Sequence, residues 1–171
     1  MSEAVNSDAG ARDMSDELEV LTFDLHGETL ALEASIVREI MDMTAITVVP
    51  GASALVGGVI NFRGKVIPLA NLHLAFGMEV GPTTIDSRIV VIELELDGTF
   101  TFIGLRTDKV NEVTTLDLTK KEPPPSIGMR WRPEYVKCLV KRGGEFVVLP
   151  DLHSIFAVGS HSAGGTLKAV A

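Results

Sequence analysis

With a single cysteine, Cys138, in 171 residues, the chain can close no internal disulfide and cannot supply a four-cysteine zinc site. A reducing compartment suits such a chain, and the cytoplasm is expected. Basic residues are also in short supply. Fifteen Lys and Arg face 23 Asp and Glu, a net charge of −8, which argues against nucleic acid as a partner because such binding draws most of its affinity from cations neutralising phosphates. No apolar run approaches the ~20 residues needed to span a bilayer, so no direct membrane insertion is expected. The acidic N-terminus has neither the basic nor the hydrophobic segment of a secretory leader. Long amphipathic helical windows are missing too, which leaves strands as the main elements.

What is present is an ordinary globular composition, 46% hydrophobic and 22% charged. The first seventeen residues hold five acids against one arginine, and residues 158–171 are rich in Gly, Ala and Ser, so both ends are expected to stay disordered around a folded body at 18–157. Short runs of Val, Ile, Leu, Phe and Thr predict strands at 18–25, 28–33, 37–48, 57–62 and 65–70, then at 87–96, 99–105, 109–116, 135–141 and 145–149. Turns are expected at His26-Gly27, Arg63-Gly64, Asp97-Gly98 and Arg142-Gly143-Gly144. Helix is confined to short pieces: one near Ser53–Leu55, one at Leu72–Phe76 capped by Asn71 and Gly77, and one at Leu152–Phe156 capped by Asp151.

The two halves resemble each other. Leu32 to Ile40 aligns without gaps on Leu105 to Val113, matching Val37 with Val110 and Glu39 with Glu112. Arg63-Gly64 through Leu72-His73 and Phe76 aligns on Arg142-Gly143 through Leu152-His153 and Phe156, with one residue inserted. The repeat predicts two small β-barrels, about 18–80 and 87–157, with an exchange near 81–86. Barrels this small are marginal alone, so they should pack together and leave a groove between them.

The sequence offers no catalytic set. His26, His73, His153 and His161 lack metal-ligand spacing. Cys138 lies in an apolar strand with no neighbouring histidine to activate it. The glycines before Lys65 lack the phosphate-loop spacing, and Val66 stands where a magnesium-binding hydroxyl would be needed. No metal and no cofactor is expected. Trp131, between Arg130 and Arg132, reads equally as a packed core residue or an interface anchor. Pro123-Pro124-Pro125 reads as a stiff crossover loop or as a polyproline ligand.

One stretch is distinctive: Gly58-Val-Ile-Asn61-Phe-Arg63-Gly64-Lys-Val-Ile-Pro68-Leu-Ala-Asn71-Leu72. It resembles the signature of CheW-type chemotaxis coupling proteins, in which Gly-Val-x-Asn-Leu-Arg-Gly leads to Ile-Pro-Val and Asp-Leu-Arg. Val37-Arg-Glu39-Ile40, Val110-Asn-Glu-Val113, Glu134-Tyr-Val-Lys and Leu149-Pro-Asp151-Leu152 extend the resemblance over about 18–157. Phe62, Asn71, His73 and Cys138 depart from the usual Leu, Asp, Arg and Gly.

The resemblance implies an all-β fold of two packed five-stranded SH3-like barrels. It implies a non-enzymatic adaptor that couples the helical cytoplasmic tip of chemoreceptors to the regulatory domain of a CheA-type histidine kinase, at the inner membrane only through receptor arrays. It places Val37, Glu39, Arg63 and Val113 in the receptor-binding groove, with Asn61, Gly64 and Pro68 supporting the hairpin. The departures fit equally a relative serving another receptor–kinase pathway such as surface motility. A small-ligand or enzymatic β domain is the reading from a different class.

Overall fold

The structure is a computed structural model that describes residues 16–125 and 131–162. Twelve strands make up most of it: β1 Glu17–Leu25, β2 Glu28–Glu33, β3 Val37–Asp42, β4 Thr47–Val48, β5 Gly58–Phe62, β6 Lys65–Ala70, β7 Arg88–Leu96, β8 Thr99–Thr107, β9 Lys109–Asp117, β10 Lys121–Glu122, β11 Val136–Arg142 and β12 Glu145–Pro150. Two helices, α1 Leu72–Ala75 and α2 Leu152–Ser162, close the two halves.

Four tight hairpin turns set the registers. His26-Gly27, Arg63-Gly64, Asp97-Gly98 and Gly143-Gly144 all have both central residues at positive φ, the backbone twist that matches right-handed strands in two-residue turns. The strands form two six-stranded sheets, ordered β10-β11-β12-β2-β1-β9 and β3-β7-β8-β6-β5-β4. The sixth strand of each, β10 or β4, is only two residues long, so each five-stranded sheet of the expectation gains a short extra edge. β4 itself is the far end of the expected strand 37–48, which breaks after Asp42.

The sheets are related by the repeat: exchanging β1-β2 with β7-β8, β9 and β10 with β3 and β4, and β11-β12 with β5-β6 turns one order into the other. The barrels are therefore not the stretches 18–80 and 87–157. Hairpin β1-β2 pairs with β9 and β12 of the second half, and β7-β8 pairs with β3 and β6 of the first, so the exchange involves whole hairpins rather than residues 81–86. The inserted residue of the sequence alignment also disappears. Arg142 faces Glu145 across its turn as Phe62 faces Lys65, which makes Gly143 the counterpart of Arg63.

The exchange explains the apolar runs. In β7, Ile89 and Val91 point into one barrel's core with Ile60, Phe62, Ile67 and Leu69, while the alternate residues Val90, Ile92 and Leu94 join Leu21, Phe23, Leu25, Leu30 and Leu32 of β1-β2 in a core shared by both barrels. A strand buried on both faces needs apolar residues at consecutive positions. The other barrel has its own core of Val20, Ala31, Leu116, Val140, Val147 and Leu149.

Details differ from expectation at the helices. Ser53–Leu55 is a turn, with the Val56 amide donating to the Ser53 carbonyl at 3.2 Å, because the chain must descend at once into β5. Asn71 stands at the start of α1 with its carbonyl accepting from Leu74 N–H at 3.1 Å but with no capping bond to its side chain, whereas Gly77 at φ 68 does close its end and Met78 N–H donates to the His73 carbonyl at 2.8 Å. Asp151 caps α2 by accepting from Ser154 N–H at 3.0 Å. That helix continues past Phe156 to Ser162. Of the two expected tails, residues 1–15 and 163–171 lie outside the described residues, as does the Ile127-Gly128 end of the proline loop.

Candidate functional site

Hairpin β5-β6 presents Arg63 at its tip. Arg63 adopts φ 51 and Gly64 φ 79, and Asn61 braces the turn by accepting the Gly64 amide at 3.2 Å. Pro68 faces Val59 in β6, just before the strand begins its parallel ladder with β8 at Leu69, where its missing N–H does no harm. The guanidinium of Arg63 bonds the Glu39 carboxylate and lies with Cζ 5.3 Å from the Phe62 ring centroid. Its side chain stays 71% exposed, against 33% for Glu39.

Glu39 comes from β3, which lies at the opposite end of the strand order from β5. The ion pair thus joins the two ends of a sheet and marks the seam where it closes into a barrel. Val37, two residues earlier, is partly buried at the fringe of the shared core. Ile40 and Val66, each near the pair in sequence, are 45% and 72% exposed. The structure therefore brings Glu39 and Arg63 together, with Val37 anchoring the start of the strand.

Val113 stands on the other sheet, in β9 opposite Leu21, and is 60% exposed. Beside it is an ion pair that sequence reasoning did not single out: Arg142 Nη2 donates to Glu112 Oε1 at 2.8 Å and to Thr114 Oγ1 at 3.3 Å. This pair closes the second barrel as Glu39–Arg63 closes the first, since β9 and β10-β11 occupy opposite ends of their sheet. The matched positions Glu39 and Glu112 in the repeat were the available signal.

The remaining candidates have packing roles. Trp131 makes an edge-on contact with Phe76 at a centroid distance of 5.8 Å and packs against the shared core. Cys138 is half-buried in β11, and burial pushes its thiol up against the opposing pull of Lys121 and Lys137. His73 is fully buried with Nε2 2.9 Å from Asp108 Oδ1, while its repeat counterpart His153 is exposed. Among the described residues no group of three or more His, Cys, Asp or Glu is placed to hold a metal, and no helix is long and apolar enough to cross a membrane.

This architecture and these motifs have close parallels. A chemotaxis protein CheW of Rhizobium meliloti is 28% identical over 138 residues, covering 81% of this chain and 86% of that protein. Another from Thermotoga maritima is 29% identical over 144 residues, covering 81% and 87%. The crystal structure of the scaffolding protein TtCheW from Thermoanaerobacter tengcongensis superposes with a TM-score of 0.70 at 30% identity, over 81% of this chain and 92% of that one. Both ion pairs and all of the strands except the first two residues of β1 fall inside residues 19–159, which match the family model of the CheW-like domain, and the chain belongs to that family.

Proposed function

We propose that this protein is a non-enzymatic adaptor of bacterial chemotaxis that couples the cytoplasmic tip of chemoreceptors to the regulatory domain of a CheA-type histidine kinase. The observation that carries the reading is the exposed guanidinium of Arg63, held at a hairpin tip by Glu39 beside the exposed Ile40 and Val66. A fixed array of donors next to apolar side chains suits the flank of an amphipathic helix. Val37, Glu39, Arg63 and Val113 are assigned to receptor binding, with Asn61, Gly64 and Pro68 holding the hairpin in shape. The chain's place is the cytoplasm, beside the membrane through its receptors.

The test is titration of the purified protein with a helical receptor-tip fragment and, separately, with a CheA-type regulatory domain. Saturable binding to both, and a ternary complex by size-exclusion chromatography, is the expected result. Failure to bind either fragment, in protein shown to be folded, would overturn the assignment.

A further inference from the structure

We propose that Glu112 and Arg142 form a second docking element, analogous to Glu39 and Arg63 although Arg142 stands one position before Gly143, the repeat match of Arg63, and that the two elements together hold a partner built of two antiparallel amphipathic helices, one element to each helix. The proposal rests on the receptor-adaptor reading above and adds to it the residues of the second barrel.

Three observations carry it. The first is the duplicated chemistry. Each barrel seam bears a glutamate on its edge strand and an arginine at a hairpin, with an exposed apolar residue directly after the glutamate: Ile40 at 45% or Val113 at 60%. Each hairpin adds one more in its second strand, Val66 at 72% or Phe146 at 43%.

The second is placement. β3 and β9 both start at the shared core, where Val37 and Val110 are its partly buried fringe. Glu39 and Glu112 lie two residues further along their strands. The elements therefore flank the shared core symmetrically, and a surface with two-fold character is complemented by a ligand with the same character.

The third is charge. In a chain of net charge −8, both hairpins carry two exposed cations, Arg63 with Lys65 and Arg142 with Lys141, the second offset in part by the exposed Glu145 across its turn. Helices with carboxylates bordering an apolar stripe answer both the charge and the apolar residues.

The experiment is titration of a receptor-tip helical hairpin against wild type, Arg63→Ala, Arg142→Ala and the exchanged pair Glu112→Arg with Arg142→Glu, with thermal melts as folding controls. Arg142→Ala should weaken binding at least about fivefold, as loss of an interface anchor does. The exchanged pair keeps a seam ion pair while moving the guanidinium off the hairpin, so it too should bind at least about fivefold more weakly.

A folded Arg142→Ala that binds like wild type, while Arg63→Ala is weakened, overturns this inference and leaves the proposed function standing. Wild-type affinity in the exchanged pair overturns it as well, because seam closure alone would then be what Arg142 supplies. Absence of wild-type binding overturns both readings.

Discussion

Asp108 holds His73 and the His26 turn at once: its Oδ1 lies 2.9 Å from His73 Nε2, and its Oδ2 accepts the His26 amide at 2.6 Å. One carboxylate therefore ties α1, which follows β6 in one sheet, to the turn of β1-β2 in the other. The Asp108 amide adds a bond to the Asp24 carbonyl at 3.0 Å, and the Asp24 side chain accepts from Asn111 at 2.8 Å. In the sequence Asp108 merely precedes the expected strand 109–116. Its bridging role depends on the hairpin exchange.

Asp108→Ala should accordingly destabilise the fold. The substitution leaves a His73 nitrogen buried without its partner and removes an acceptor from a turn amide, while the carboxylate itself is 41% exposed, so water can replace part of what is lost. A loss of about 1–2 kcal/mol is expected from urea denaturation. Asp108→Asn, which keeps an acceptor oxygen, should recover part of it. An Asp108→Ala midpoint equal to wild type would show that the bridge contributes nothing.

The exchanged hairpins also predict how the molecule unfolds. Neither barrel can be completed without strands from the other half of the chain, and the shared core is built from both hairpins. Heating should give one cooperative transition, with calorimetric and van't Hoff enthalpies in agreement. Phe23→Ala, which empties a fully buried position of the shared core, should lower that single transition by about 3–5 kcal/mol without splitting it. Two resolved transitions in either protein would contradict the interlocked arrangement.

Much of the chain could be read from its residues because local rules and tertiary demands coincide. Turn chemistry put all four hairpin tips in place, and short runs of apolar and β-branched residues located ten of the strands. The limits are as physical. A strand buried on both faces, such as β7, looks the same whichever barrel it completes, so the exchange of hairpins was invisible in the sequence. The Ser53–Leu55 turn has the composition of a short helix, but its Leu55 carbonyl accepts the amide of Asn71 at 2.9 Å instead of a helical donor. Glu39 and Arg63 were named through resemblance to a family, and their mutual contact is a property of barrel closure, which residues 24 apart do not disclose.

Gly58 opens the signature stretch for a steric reason. A Cβ built at this position would stand 2.7 Å from Ile46 Cγ2 and 3.2 Å from the Thr47 carbonyl oxygen, and the backbone of β4 is paired there, Val48 facing Gly58. Gly58→Ala must displace the β4 edge. A loss of about 1–3 kcal/mol is expected, as for other overpacked sites, with faster amide exchange at Thr47 and Val48. Ile46→Ala should relieve much of the cost when combined with it. Full stability of Gly58→Ala alone would mean that β4 yields freely and that the glycine has another role.

Arg63 should show stability and binding moving apart. Its backbone lies at φ 51, a left-handed conformation that costs a non-glycine residue roughly 1 kcal/mol. Its ion pair with Glu39 is mostly exposed and is worth about 0.2–1 kcal/mol. Arg63→Gly removes both, so the two effects nearly cancel, and the melting temperature should stay level or rise slightly. Arg63→Ala keeps the strained turn and loses the pair, and should melt slightly lower than Arg63→Gly. Receptor-tip binding should fall in both, by about 2 kcal/mol or some thirtyfold if the guanidinium is an interface anchor, while binding to the kinase regulatory domain is unchanged. Titration calorimetry with each fragment, alongside thermal melts, separates these outcomes. Undiminished receptor affinity in folded Arg63→Gly would remove the residue from the docking site, and a melt lowered by many degrees would show that the seam pair is structural before it is functional.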